Sequence, residues 1–349
     1  MKKKIFASFI VAAAVFAIIA IYAFLNPSDD RIISPFIQDV KEKVFPLRKY
    51  SFDNLSKAKF DGNKIEIGEK IEENDGFSSY VFYFYAEDPQ NKSSMKKASG
   101  LLTVPNEEGE YPVILQIRGY VDREVYSTGV GTKRSAEVFA RNGFISLSPD
   151  FLGYGESENP SDKSIEERFQ TYSTVLSLLS SLKNLNDAFK NKEIQISADT
   201  TKLGFWGHSN GGQIVLSVLE ITQKNIPTVL WAPVTKPFPY SILYFTDEFE
   251  DEGKALRKVI ADFEKDYDVF DYSPTRYYDR IRAPLQVHQG TNDDAVPVAW
   301  SNELIEKLDA LEIENEYFVY LGADHNLLGG WDTAISRSIS FYREKLKSQ

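Results

Sequence analysis

The chain has 349 residues, a formal net charge of −11 and no cysteine. Without thiols it forms neither disulfides nor thiolate metal sites, and its three scattered histidines make a structural zinc site unexpected. No basic stripe is available to neutralise phosphates, which argues against nucleic acid as a partner. α/β folds of this size commonly keep one core and add insertions, so we expect one main domain.

The first segment, residues 1–27, predicts a membrane anchor. Three lysines at residues 2–4 precede an apolar stretch over residues 5–25, which Asn26 and Pro27 end. A helix of that length rises about 31 Å, enough to cross a bilayer. The lysines would stay cytoplasmic, placing the rest of the chain outside the membrane. Secretion after cleavage of a signal peptide is the alternative.

We expect residues 28–48 to form a polar, partly helical spacer and residues 49–349 to form the folded domain. The domain begins with runs rich in aromatic and β-branched residues at 64–67, 79–85 and 99–104. Such runs predict strands, and the polar–apolar alternation of the first suits an edge strand with one wet face. We therefore expect an antiparallel start to a larger sheet.

From residue 112 onward, short buried strands alternate with helices. The predicted strands cover residues 113–117, 144–147, 203–206, 228–231, 285–288 and 317–321. The predicted helices cover residues 135–141, 165–189, 212–222, 298–311 and 333–346. This alternation indicates right-handed βαβ units and a mostly parallel α/β sheet with helices on both faces. Ligands of such sheets bind at the carboxyl ends of the strands.

The alternation lapses between about residues 233 and 282, a stretch longer than an ordinary connection. An apolar run at 237–245 precedes an acidic run at 247–271 that we expect to be helical. We interpret this segment as a helical lid inserted after a core strand. The alternative is a surface excursion that does not touch substrate.

Ser209 is the central residue of Gly207-His208-Ser209-Asn210-Gly211, between a predicted strand and a predicted helix. A Gly-x-Ser-x-Gly in this setting holds the serine on a strained turn and exposes its hydroxyl for nucleophilic attack. Side chains two residues before and after the serine would collide, so both positions favour glycine. A chance pentapeptide is the alternative, and the strand-turn-helix context argues against it.

A nucleophilic serine needs a base and a group that orients the base. His208 is expected to point away from the reacting face, and His288 lies inside a predicted strand. His325 follows a strand at the carboxyl edge of the sheet and is therefore the predicted base. Asp293 and Asp294 follow the preceding strand, and the sequence pattern alone does not decide which of the two is the acid.

The oxyanion donors are expected to be two backbone N–H groups. Asn210 follows the serine, and Tyr120 follows Arg118 and Gly119 directly after the strand at 113–117. A glycine-rich segment at residues 150–157 follows the next strand at the same sheet edge. It either shapes the pocket or is only a turn.

Five segments in order, residues 118–120, 150–157, 207–212, 290–297 and 322–325, resemble the α/β-hydrolase superfamily. They are most similar to its prolyl-oligopeptidase-like and dienelactone-hydrolase-like branch, over roughly residues 95–346. The resemblance implies an α/β-hydrolase fold and gives the role of triad acid to Asp293. The chain departs from the family at Arg118, where a histidine is usual.

The resemblance implies a serine hydrolase that cleaves a carboxylic ester through an acyl intermediate on Ser209, without cofactor or metal. The alternative is a prolyl-oligopeptidase-like peptidase acting on short peptides or amides. Too little chain precedes the resembling region for the β-propeller of the larger relatives, which weakens that alternative. A catalytically silent scaffold that binds a partner is a third possibility.

Overall fold

The computed structural model describes residues 43–246 and 249–347, and a nine-stranded sheet runs through this part of the chain. Its strands are β1 Glu66–Asn74, β2 Phe77–Glu87, β3 Met95–Pro105, β4 Gly109–Ile117, β5 Ile145–Pro149, β6 Ile196–His208, β7 Thr228–Trp231, β8 Leu285–Gly290 and β9 Asn315–Tyr320. Their order in the sheet is β1-β2-β3-β5-β4-β6-β7-β8-β9. The pairs β1–β2, β2–β3 and β3–β5 are antiparallel, whereas all the pairs from β5–β4 to β8–β9 are parallel.

Helices connect the parallel strands, as crossovers between parallel neighbours require. The α-helices of the described residues are α1 Phe52–Leu55, α2 Lys133–Arg141, α3 Ser164–Ser181, α4 Leu185–Asn191, α5 Asn210–Thr222, α6 Tyr240–Leu243, α7 Lys254–Glu264, α8 Val298–Ala310 and α9 Trp331–Lys345. Helix α2 links β4 to β5, α5 links β6 to β7, and α8 links β8 to β9. Every strand predicted from the sequence overlaps one observed strand, and the predicted α/β fold class is confirmed.

Neighbouring residues of the central strands enter two separate cores. Phe205 of β6 packs in a large core with residues of α3 and α5, whereas Trp206 packs in a second core with residues of α2 and α9. Successive side chains of a strand point to opposite faces of the sheet. Helices cover both faces of the sheet, which explains why the sequences of these strands are short, continuous apolar runs.

The sequence predicts a single helix over residues 165–189, but the structure divides it. Helix α3 ends at Ser181 and α4 begins at Leu185, with a 3₁₀ turn at Leu182–Asn184 between them. The hydroxyls of Ser177 and Ser181 donate to backbone carbonyls four residues earlier. Serine bonds of this kind bend helices, and hydrophobic periodicity does not register them.

The predicted lid, residues 233–282, is less helical and more deeply packed than expected. Among the described residues of the acidic run that was expected to be helical, α7 is the only α-helix, and a 3₁₀ turn follows at Val269–Tyr272. The Phe238 and Phe263 side chains are buried, and both rings contact Phe169 of α3 at 5.5 and 5.8 Å. This inner side belongs to the core of the domain. A lid role stays a prediction for the outer aromatic residues of the segment.

The predicted membrane anchor and most of the predicted spacer lie outside the described residues. Within residues 43–246 and 249–347, no helix is both long enough and apolar enough to cross a membrane.

Candidate active site

Ser209 lies on the turn between the end of β6 and the start of α5. Its backbone has φ 56° and ψ −124°, a strained conformation for a residue other than glycine. The Ser209 N–H donates to the Trp231 carbonyl oxygen at 2.9 Å. The Ser209 carbonyl oxygen accepts from the N–H groups of Gly212 and Val234, both at 3.0 Å. These three backbone bonds hold the turn in place.

The glycines around the turn have no room for a side chain. A Cβ atom on Gly207 would lie 2.9 Å from the Cα atom of Gly212, and one on Gly211 would lie 2.0 Å from the Ile117 carbonyl oxygen. A Cβ atom on Gly119 would lie 2.9 Å from Ser209 Cβ. The turn after β4 therefore lies directly against the serine, which is where an oxyanion donor has to be.

His325 and Asp293 lie on the loops after β9 and β8 and are hydrogen-bonded to each other. His325 Nδ1 lies 3.0 Å from Asp293 Oδ1 and 2.9 Å from Oδ2. An ionised carboxylate only accepts hydrogen bonds, so Nδ1 carries the proton and Nε2 is free to act as a base. The exposed Asp294 has no hydrogen bond to His325. Of the two candidate acids, the structure brings Asp293 to the histidine.

Asp293 is held as a carboxylate. Its side chain is closed to solvent, and it accepts hydrogen bonds from the Val296 and Ala295 N–H groups and from Gln289 Nε2, at 2.7, 3.0 and 2.9 Å. Burial alone would raise its pKa, but the hydrogen bonds from His325, Val296 and Gln289 keep the pKa below its ordinary value. The group stays negative at neutral pH and can stabilise a histidinium.

His208 connects the two halves of the site, a role that sequence reasoning missed. Its Nε2 donates to the His325 carbonyl oxygen at 2.9 Å, and the two rings lie 4.7 Å apart. Burial, helped by the nearby His325 ring, lowers the pKa of His208 to about 4, so His208 is neutral at pH 7. The sequence signal was its position directly before Ser209. His288, by contrast, is a buried core residue bonded to Tyr320 and Gln286.

The described residues contain no hydrogen bond between Ser209 Oγ and His325 Nε2. Catalytic hydrogen bonds of serine hydrolases are often long before substrate binds. The His208 bond nevertheless places the His325 backbone beside the residue that precedes Ser209.

Arg118, in the position where the resembling family usually has histidine, holds the turn on which Tyr120 lies. Its Nη1 donates to the Gly119 carbonyl oxygen and its Nη2 to the Asp150 carbonyl oxygen, both at 2.9 Å. The guanidinium also lies 4.1 Å from the Tyr154 ring. The segment at residues 150–157 is thereby tied to the predicted oxyanion turn. The side chain of Tyr120 is exposed, so only its backbone N–H is suited to the predicted role.

Two cavities border the residues on either side of Ser209 in the chain. A cavity of about 300 Å³ borders Gly119, Tyr120 and Asn210, on the side of the predicted oxyanion donors. A larger one of about 690 Å³ is bordered by His208 and Asn326, on the side of the predicted base. Within the described ranges, no group of histidine and carboxylate side chains is arranged to hold a metal ion.

A mostly parallel sheet, a strained serine turn after β6, and an acid and a histidine after β8 and β9 define the class of α/β-hydrolases. Solved structures share this fold. Acetyl xylan esterases from a Paenibacillus species and a Thermoanaerobacterium species are each 15% identical, with TM-scores of 0.55 and 0.52. The alignments cover 86% of this chain and 97% of the first esterase, and 85% of this chain and 93% of the second.

A puromycin-hydrolysing peptidase from Mycobacterium tuberculosis is also 15% identical, with a TM-score of 0.52 over 78% of this chain. This chain spans only 46% of the length of that peptidase. No curated protein matches the sequence significantly. The model of the prolyl oligopeptidase family matches residues 132–349, well over half of the chain. The chain belongs to that family of serine hydrolases, and the resemblance seen in the sequence is confirmed.

Proposed function

We propose that the protein is a serine esterase that cleaves a carboxylic ester through an acyl intermediate on Ser209. The observation that carries the proposal is the joining of the bonded pair His325–Asp293 to the strained Ser209 turn through His208. Each residue type required for acyl transfer is present at the carboxyl edge of the sheet.

In this mechanism, His325 Nε2 takes the Ser209 proton as Oγ attacks the ester carbonyl carbon. Asp293 stabilises the histidinium, and the N–H groups of Tyr120 and Asn210 bind the oxyanion. The C–O bond to the alcohol then breaks, and the alcohol leaves with the proton from His325. Water attacks the acyl-enzyme by the same route, releasing the acid and restoring Ser209.

Apolar side chains next to the reacting groups support an ester with an apolar portion. Val234, whose N–H bonds to the Ser209 carbonyl, forms a small buried cluster with Val296 and Trp300. The rings of Tyr240 and Tyr244 lie 6.2 and 4.8 Å from that of Trp300. These tyrosines are partly exposed and are the proposed lid residues, together with Phe245.

The likeness to two acetyl xylan esterases over nearly their whole length supports an ester as the substrate. The four strands before the family-matched region, β1 to β4, belong to the same sheet as the strands within it. A peptidase of the prolyl-oligopeptidase type, acting on short peptides or amides, is the second candidate because the family match favours it.

A direct comparison of substrates tests this proposal. The protein should hydrolyse 4-nitrophenyl esters with a far higher kcat/KM than aminoacyl naphthylamides, and Ser209→Ala should abolish both activities. Higher activity on the naphthylamides would favour the peptidase. A protein inactive on both series that still captures a partner would be the silent scaffold.

We also propose that residues 1–27 anchor the enzyme in a membrane. Residues 28–48 would then serve as a spacer, and residues 49–349 would form the hydrolase domain on the outer side. The support is the run of lysines at residues 2–4 followed by the apolar stretch at 5–25. Sequencing the amino terminus of the mature protein from a membrane fraction tests this proposal. A terminus near Asn26 would indicate a cleaved signal instead.

A further inference from the structure

The cavity on the oxyanion side of Ser209 contains an arginine with no acidic partner. The cavity measures about 300 Å³ and lies between the predicted oxyanion turn, residues 151–154, helix α3 and the start of α5. Arg168 of α3 lines it together with Thr171 and Ile214. Its volume is at the lower end of the range for ligand pockets, which suits a short acyl chain.

Arg168 is held by neutral groups, namely Gln213 and the Phe238 ring, whose centroid lies 5.9 Å from the guanidinium carbon. Its Nη2 donates to Gln213 Oε1, and the Gln213 amide is itself oriented by a 2.9 Å bond from Nε2 to the Lys236 carbonyl oxygen. Arg168 Nε is closed to solvent and has no hydrogen-bond partner, and no carboxylate of the described residues forms an ion pair with the guanidinium. Burial lowers the pKa of Arg168, yet a guanidinium stays protonated in proteins.

The other charged groups around the cavity do not neutralise Arg168. Glu167 also lines the cavity, but its carboxylate pairs with Arg123. Arg118 lines the opposite wall, and its charge faces the Asp150 carboxylate; burial raises the pKa of Asp150, and Arg118 offsets part of that rise. Arg118 Nε likewise has no partner. The cavity is therefore lined by one positive charge that has no carboxylate partner, an arrangement that is unfavourable until an anion enters.

We propose that Arg168 binds a carboxylate at the far end of the acyl group, so that the preferred substrates are half-esters of short dicarboxylic acids. This inference rests on the esterase function proposed above. The acyl side is assigned because the cavity borders Tyr120 and Asn210, whose N–H groups would hold the carbonyl oxygen. The alcohol must leave next to His325, which protonates it. A guanidinium can donate two parallel hydrogen bonds to the two oxygens of a carboxylate.

Paired substrates test the assignment. Mono-4-nitrophenyl adipate and 4-nitrophenyl adipamate have the same length and leaving group but differ in one charge, and glutarate and pimelate half-esters bracket the chain length. For the best length, kcat/KM for the acid should exceed that for the amide about tenfold to hundredfold, as expected for a hydrogen bond to a charged group. In Arg168→Gln this ratio should fall to about one, and in Arg168→Lys it should be intermediate.

Arg276→Gln is the control for loss of charge, because Arg276 is an exposed arginine that pairs with Asp268 and Asp271 and does not line this cavity. It should keep the wild-type ratio. Equal loss of both substrates in Arg168→Gln, or a wild-type ratio near one at every length, would overturn the inference while leaving the esterase function in place.

A binding experiment separates this inference from the proposed function. Free adipate should raise the melting temperature of the wild type and of Ser209→Ala, but not that of Arg168→Gln. If no ester is hydrolysed at all, the proposed function fails, and this thermal shift still decides whether Arg168 is an anion site. An equal shift in all three proteins, or none, would contradict the inference.

Discussion

His208→Phe is the substitution that most sharply tests how the site is assembled. Phenylalanine keeps a ring beside the His325 ring but removes the N–H that donates to the His325 carbonyl oxygen at 2.9 Å. A buried carbonyl left without its donor costs about 1–3 kcal/mol of folding free energy. For a domain of this size, that loss lowers the melting temperature by about 2–4 °C per kcal/mol.

The effect on catalysis should be larger than the effect on stability. The loop that carries His325 loses its bond to the residue before Ser209, and a displacement of about 1 Å in a catalytic group lowers rates on the order of a hundredfold. We therefore expect kcat for 4-nitrophenyl acetate to fall by about that factor, at a temperature where the variant is fully folded.

His288→Phe is the matched control. His288 is equally buried and loses two hydrogen bonds, to Tyr320 and Gln286, but does not contact the Ser209 turn or His325 through a hydrogen bond. It should be destabilised at least as much as His208→Phe and keep a kcat close to that of the wild type. Equal kcat losses in the two variants, or an unchanged kcat in His208→Phe, would refute the positioning role.

Three further results are expected. Asp293→Asn should lower kcat on the order of 10³–10⁴-fold, because the histidine loses its orienting carboxylate. The kcat of Asp294→Asn should stay near that of the wild type, and steady-state kinetics with one ester compares the two variants. His208 binds its proton only near pH 4 when folded, whereas the unfolded chain binds it near its ordinary pKa of 6.5. The contribution of His208 to the free energy of unfolding should therefore fall by up to about 3 kcal/mol as the pH drops through this window, and urea titrations at about pH 7 and pH 5 should show a smaller drop in His208→Phe. Gly211→Ala should yield little folded protein by circular dichroism, because its Cβ would lie 2.0 Å from the Ile117 carbonyl oxygen; a stable, active variant would contradict the packing described.

The sequence allowed the reacting residues to be predicted, but not most of the contacts that surround them. Ser209 and His325 follow from local patterns, namely glycine spacing around a turn and a polar residue at the end of a strand. Asp293 needed the family resemblance, since its neighbour Asp294 is chemically equivalent in the sequence. Each of these patterns spans only a few neighbouring residues, so it can be recognised in the sequence alone.

Contacts between distant segments could not be predicted in this way. The bond from His208 to His325 joins residues 117 positions apart, and that from Arg168 to Gln213 joins residues 45 apart. Their existence depends on how the β9 loop and helix α3 pack against the β6 turn and α5. The contact of Phe238 with α3 also joins distant segments, so the sequence did not show that this part of the predicted lid packs into the core.

The central claim is that Ser209 is the nucleophile, and covalent labelling tests it most directly. The folded protein should react with a fluorophosphonate probe to give one adduct, which peptide mass spectrometry should place on Ser209. Labelling should disappear in Ser209→Ala and become much slower in His325→Ala. A wild-type protein that is not labelled, or an adduct that persists in Ser209→Ala, would contradict the account.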